Sequence, residues 1–403
     1  MKGFTRTAAL AVLLTVASAA TAQADTFRPT RFDDPVPGKC KPNNCSLREA
    51  VIKANKHQGK DRIVLGAGTY VIELAETIGD DNQGGDFDVI GEAVITGKGP
   101  LKTVVDGNEV SGVFALLTFP PHTVKNMTIE DGNRNIGGGI STGPSKITIK
   151  NVVLKSNTAT QGGGGLYTVS QDLTISRTTL SENDASGGGG MYVPAGVVGP
   201  PTGVIRASTF SGNDAELGAG LYLDGFNDGF AEEDPDLEVV NSTFAENQAT
   251  VSGGGIAAIL GSTILVDNST IAYNGADVDN SGGGSGGGMF QSSSADFQIT
   301  DIILAANTVG GSGTGPSCAG SFLGGGLIAG GAAACTIGGT FVADAMIGSL
   351  AGNGGPTETI ALLAGSPAID RPNPFDCPER DQRGRKRDPD CDTGSFERKP
   401  SDP

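Results

Sequence analysis

From about Val94 to Asn307 apolar residues alternate with polar ones in short stretches, as strands with one face on a core require. Six segments align without gaps on a terminal Asn: ITIKNVVLKSN to Asn157, LTISRTTLSEN to Asn183, GVIRASTFSGN to Asn213, LEVVNSTFAEN to Asn247, ILVDNSTIAYN to Asn274 and FQITDIILAAN to Asn307. Three residues before each Asn stand Leu154, Leu180, Phe210, Phe244, Ile271 and Leu304. Eight before it stand Ile149, Ile175, Ile205, Val239, Val266 and Ile299. Six before it the positions are mostly polar: Asn151, Arg177, Ala207, Asn241, Asn268 and Asp301. A degenerate earlier copy, VKNMTIEDG, aligns Val124 and Ile129 and has Gly132 where the Asn would fall.

The copies recur every 26 to 34 residues, which is the range of solenoid repeats. One copy cannot bury its apolar face alone, whereas stacking lays equivalent side chains over one another. The pattern therefore predicts an all-β fold, a single-stranded right-handed parallel β-helix with parallel pairing between turns. Each Asn is expected to close a turn in the left-handed conformation and to bond to the Asn above and below. Glycine blocks follow, as in GGGGLY (Gly162–Tyr167), GGGGMY (Gly187–Tyr192), GAGLY (Gly218–Tyr222), GGGIA (Gly253–Ala257) and a longer one ending at Phe290. They fit positive φ or close approach of stacked coils, and no copy has the Lys-Ser/Thr of a phosphate loop.

A solenoid exposes core and unpaired edges at both ends, so caps are expected. Ser46-Leu47-Arg48-Glu49 is a capping box that opens a helix stopped at Gly59, with Leu47, Ala50, Val51 and Ala54 on one face. A cation at His57 suits the end of that helix, and His122 is expected in a loop after Pro120-Pro121. The region after about Ile347 is the candidate for the other end. Residues 1–24 have the order of a secretory signal: Lys2 and Arg6, an apolar Ala8–Ala20, then Ala22-Gln23-Ala24. Six Cys fit an oxidising compartment, and neighbouring pairs are favoured among the 15 pairings: Cys40 with Cys45, Cys318 with Cys335, Cys377 with Cys391.

CSLREAVIKAN (Cys45–Asn55) resembles the signature of the CSLREA domain of exported bacterial proteins, and GGDFDVIGEAVITGKG (Gly84–Gly99) is similar to the strand region that usually follows it. The repeats resemble right-handed, pectate-lyase-like β-helix proteins. FSGN and FAEN are similar to polymorphic outer-membrane protein repeats, and NGGPTETIALLAGSPAID (Asn353–Asp370) with CDTGSFE resembles the choice-of-anchor Q domain. The organisation implied is a signal peptide over 1–24, a cap over 25–60, the β-helix over 61–345 and a disulfide-bounded C-terminal cap region over 346–403. The resemblance implies an extracellular or cell-surface protein and supplies no catalytic mechanism.

Charge narrows the partners. With 45 Asp plus Glu against 28 Lys plus Arg, the formal charge of −17 argues against nucleic acid. Removal of the signal leaves no integral membrane span, and a monomer is expected. The acidic insertion LDGFNDGFAEEDPD is a solvated loop or, with Asp224, Asp228, Asp234 and Asp236 as ligands, a Ca²⁺ site; no other cofactor is expected. Asp80, Asp81, Asn82, Asp86 and Asp88 match no full calcium template, and Asp277 and Asp279 before Gly282 are a weaker cluster still. Lys150 and Arg206 occupy equivalent positions, with Arg177 one place over, and read as outward solubility residues. Arg380, Arg383, Arg385, Lys386 and Arg387 are expected to pair with the acids around them. No acid–base set converges. The expectation is a non-catalytic, adhesin-like interaction module that meets carbohydrate or a surface protein; the alternative is a lyase or hydrolase of acidic polysaccharide.

Overall fold

The computed structural model describes residues 24–76, 82–117, 119–196, 198–225, 234–292, 294–330, 334–371, 377–400 and 402; the expected signal peptide lies outside them, apart from its last residue. The chain winds as a right-handed parallel β-helix. In one winding Asp172–Ser176 is followed by Thr179–Ser181, then Asp184–Gly187, then Met191–Pro194, and each segment pairs in parallel with its equivalent in the next winding. Ile149, Ile175, Ile205, Val239, Val266 and Ile299 stand in one register and are buried. So do Leu154, Leu180, Phe210, Phe244, Ile271 and Leu304, where the Phe210 and Phe244 rings stack at 4.6 Å between centroids.

The six aligned asparagines form a buried column. Asn183 Oδ1 accepts from Asn157 N at 3.0 Å and Asn157 Nδ2 at 3.0 Å, and the same pair of bonds repeats up to Asn307. Each remaining amide hydrogen goes to a carbonyl of a neighbouring winding, as from Asn213 to Leu180 at 3.0 Å. The left-handed conformation falls one residue earlier than expected: on Ser156, Glu182, Gly212, Glu246, Tyr273 and Ala306, with φ between 53° and 63°. The column asparagine turns inward, and the residue before it takes the bend. A second row bends at Asn151, Arg177, Ala207, Asn241, Asn268 and Asp301, with φ between 43° and 53°. Just after this bend a further buried column, Thr178, Ser208, Ser242 and Ser269, is linked by hydroxyl oxygens accepting from the preceding winding's backbone N–H at 3.1–3.3 Å. The glycine block passes against the asparagines: a Cβ on Gly165 would lie 2.7 Å from Gly190 O and 3.1 Å from Asn183 Cγ.

The N-terminal helix, Leu47–Lys56, has both capping-box bonds and buries Leu47, Ala50, Val51 and Ala54 over the first windings. Arg48 is also fully buried, bonded to Asp34 at 2.7 and 2.8 Å and to the Gly84 and Gly85 carbonyls, with its guanidinium over the Phe87 ring. His57 is the C-cap and faces Asp61 at 2.9 Å. His122, expected in a loop, instead opens the strand His122–Glu130 and is buried in register with Ala93 and Ile147.

The disulfide-bounded C-terminal region caps a flank. The hairpin Ile347–Ala351 with Thr359–Leu362 and the segment after it fold back along the outer side of the windings, where Ile303, Leu327, Leu362 and Phe396 pack together. Gln382 reaches Thr209 at 2.9 Å and receives from Thr243 at 2.7 Å, Arg387 reaches Asn241 at 2.8 Å, and Ser395 N donates to Thr270 at 3.1 Å. Two members of the basic run are spent in this docking, Arg383 paired with Asp381 at 2.8 Å and Arg387 with Glu397 at 3.3 Å, both buried; Arg385 pairs with Asp402, and Arg380 and Lys386 are exposed. All three neighbouring Cys pairs are disulfides.

Two outcomes follow from these contacts. Asn213→Ala removes the acceptor of Asn183 N and of one Asn183 Nδ2 hydrogen, and the side-chain donor to Leu180 O, so chemical denaturation should show a loss of about 3 kcal/mol, against less than about 0.5 kcal/mol for exposed Ser186→Ala. Burial, aided by Glu397 and Asp370, raises the Asp392 carboxyl to about 6. A carboxyl raised on folding contributes stability that is present below its unfolded value and lost as pH rises through the folded one. Melting curves from pH 4 to 7 should therefore show a stability decline that is smaller in Asp392→Asn.

Candidate binding groove

One outer face is left open by both caps. It is built by Asn133–Ile136, Thr158–Gly162, Asp184–Gly187, Asp214–Leu217, Gln248–Ser252, Gly275–Ala276 and Thr308–Val309, paired in parallel in that order. Each strand starts directly after a column asparagine or, in the first, after Gly132. Alternation then sends the next residue outward, so Asn133, Thr158, Asp184, Asp214 and Gln248 share one register row. Further along the strands Asn135, Thr160, Ser186 and Glu216 are exposed, beside an irregularity in pairing after Ala159. Between these positions Ala159, Ala185, Ala215 and Ala249 are buried. A groove of about 540 Å³ lies along these strands and ends at Val278. A second, of about 600 Å³, continues past Thr160 to Asn133, Arg134, Glu109 and Glu76.

The lining is hydroxyl, amide and carboxylate. Thr160 Oγ1 donates to Asn135 Oδ1 at 3.1 Å, and Ser186 Oγ donates to Thr160 O at 2.8 Å. Partial burial raises the Asp214 carboxyl, and Asp184 one strand away adds to the shift. Arg134, the cation in this lining, is ion-paired with buried Asp86. From Ala207 to Asp370 the chain has eighteen acidic residues and no Lys, Arg or His. The groove strands of those windings therefore carry no Lys, Arg or His of their own, and the titratable side chains that line the groove there are Asp214 and Glu216.

Around the corner from the groove, Tyr167, Tyr192 and Tyr222 stack in one register, the last two rings 5.1 Å apart. Tyr192 OH donates to Asp224 at 2.8 Å, and burial raises both the Asp224 carboxyl and the Tyr192 and Tyr222 hydroxyls. Asp224 is thus committed to tyrosine. Of the other expected calcium ligands, Asp234 is buried with its carboxylate where a Cβ on Gly225 or Gly261 would sit, and Asp236 is exposed at the start of Asp236–Val240. Asp228 lies outside the described residues. Among the described residues the carboxylates that do gather within 4.8 Å of one another are Asp106, Glu130 and Asp131. There burial and mutual repulsion raise Glu130 and Asp131, while Lys155 opposes both shifts.

Asp86 and Asp88 are buried, and Asp80 and Asp81 lie outside the described residues. Lys150 and Arg206 stand in one exposed row, Arg206 pairing with Glu238 at 3.1 Å. The sequence pointed to charge runs for a site. The groove instead comes from single polar residues immediately after each aligned Asn, a position the repeat alignment could have extended to by one residue.

No family model matches the chain, and no curated protein matches it. Among solved structures it is similar to pectate lyase Pel9A, with 14% identity over 95% of this chain and 98% of that one and a TM-score of 0.49. It is also similar to the A-module of the Azotobacter vinelandii mannuronan C-5 epimerase AlgE6, with 14% identity over 78% of this chain and 95% of that one and a TM-score of 0.34. The pairing registers, rather than these likenesses, establish the β-helix.

Proposed function

We propose that this chain is an exported or cell-surface β-helix that binds an extended glycan along the open face without chemically changing it. The observation behind this reading is the groove: equivalent hydroxyl, amide and carboxylate groups recur at each winding, spaced by about 4.8 Å as adjacent strands are. Such a strip offers hydrogen-bond partners to a linear polymer of sugar hydroxyls over several windings. Asp184, Asp214 and Glu216 favour a neutral or amino-sugar chain and repel uronates, which lack a cation to meet there. Three disulfides suit an oxidising compartment, and among the described residues no helix is long and apolar enough to cross a membrane. The likeness of Cys45–Asn55 to exported CSLREA proteins points the same way.

A second reading has one observation in its favour. Asp214 holds its proton more tightly than an ordinary carboxyl while stacked next to Asp184, and pairs of carboxyls set apart in this way serve glycosidases as acid and base. Both readings meet in one assay. The protein is incubated with chitosan oligosaccharides, xylan, polygalacturonate and alginate, the last two with and without Ca²⁺, and binding and products are followed together. Retention of the chitosan or xylan chain is expected, weakened at least about tenfold, or ~1.4 kcal/mol, by Asp184→Asn with Asp214→Asn. Asp172→Asn with Asp236→Asn, at the exposed starts of the strands Asp172–Ser176 and Asp236–Val240, should change nothing. New reducing ends or unsaturated uronate absorbance would replace binding by catalysis, and retention of none of the four would remove the glycan reading.

A further inference from the structure

After the short strand Gly275–Ala276 the chain leaves the groove face in a loop that reads Asp277-Val278-Asp279-Asn280-Ser281-Gly282. Oxygen side chains stand at its first, third and fifth positions and glycine at its sixth. That is the spacing of the first half of an EF-hand-type loop, in which the glycine makes the sharp turn. We propose that this loop is a Ca²⁺ site anchored on Asp277.

The spacing alone would not support a site; the environment of Asp277 does. Its side chain is fully buried, at 0% exposure. Oδ1 accepts from Gly282 N at 2.9 Å and lies 3.5 Å from Ser281 Oγ. Oδ2 is buried and has no hydrogen-bond donor. An ionised carboxylate oxygen buried without a donor is among the costliest arrangements in a protein interior, and a bound cation relieves it. The stretch from Ala207 to Asp370, which holds this loop, contains neither Lys, Arg nor His.

The space beside Oδ2 is bounded by glycine and by further oxygens. A Cβ on Gly311 would lie 2.9 Å from Oδ2 and 3.5 Å from Asn280 O, and one on Gly310 would lie 2.8 Å from Asn280 Oδ1. Glycine at 311 keeps the space beside Oδ2 free of a side chain, and Asn280 Oδ1 accepts from Gly311 N at 2.8 Å. Asp279 and Ser281, both exposed, complete the alternating oxygens, with Asp279 Oδ1 already accepting from Ser281 N at 3.2 Å. The twelfth position, which in an EF-hand brings a bidentate Glu, is Gly288 here. A site without that ligand belongs with the weak extracellular calcium modules, whose dissociation constants are about 10⁻⁴–10⁻³ M. Val278 of the same loop lines the end of the groove, so the ion would order that end. The inference stands whether or not the groove takes a glycan.

Calorimetric titration of CaCl₂ into the EDTA-stripped full chain, with melting curves in parallel, tests it. The wild-type chain should bind Ca²⁺ and melt higher with it. Asp277→Asn should abolish both effects, Asp279→Asn should weaken binding at least about tenfold, and Asp236→Asn, in the acidic insertion, should leave both intact. Absence of binding to the wild-type chain overturns the proposal, as does a folded Asp277→Asn that still binds. Should Asp277→Asn fail to fold, the exposed Asp279→Asn decides, and unchanged affinity there overturns it. Loss of binding in Asp236→Asn moves the ion to the other loop and equally overturns it.

Discussion

Every winding of this molecule must offer its neighbours the same hydrogen-bonding register above and below, and the buried asparagine column is where that demand is met most strictly. Each of these amides accepts from the preceding asparagine's backbone and side chain and donates to the next, so none can shift without unpairing buried groups on both sides. The hydroxyl column of Ser208, Ser242 and Ser269 repeats the device at the other bend. Two bends per winding put non-glycine residues such as Glu182 and Arg177 into the left-handed region, which costs about 1 kcal/mol or more each. The columns oppose that cost directly, because they hold the chain on both sides of each bend.

The same stacking creates the open face. A strand that begins immediately after a column asparagine has its phase set: one residue out, one in. Thr158, Asp184, Asp214 and Gln248 therefore line up without any need to touch one another. The C-terminal region decides which faces remain available, since it covers Thr209, Thr243 and Thr270 with its own polar groups and leaves the groove uncovered. The stretch from Ala207 to Asp370 contributes no Lys, Arg or His to the later windings, so the cations that meet them come from the docked C-terminal region, as Arg387 does at Asn241.

The hydrophobic columns were legible because Leu154, Leu180 and Phe210 recur with one spacing and similar volume. The left-handed bend falls one residue before the asparagine that the pattern marks, since Ser156, Glu182, Tyr273 and Ala306 share no chemistry that would signal a common conformation. The hydroxyl column was hidden because the same position holds Val152 and Ile302 in the first and last aligned copies. Nothing in the capping-box pattern marks Arg48 for burial, which depends on Asp34 and two glycine carbonyls 36 and 37 residues away. His122 follows two prolines, a context that predicts a loop, yet its position in the strand register places it in the core.

By itself the sequence determined the winding, the stacked columns, the helical cap and the acidic balance, because each depends on residues close in the chain or on a pattern repeated at a regular interval. Only the tertiary structure decided where the C-terminal region lies, which outer face stays open and which carboxylate is buried without a donor. Those depend on contacts such as Gln382 with Thr209, 173 residues apart, or Asp277 with the glycines of the next winding. No periodicity encodes such contacts; they exist only once the coils have stacked and brought distant segments together.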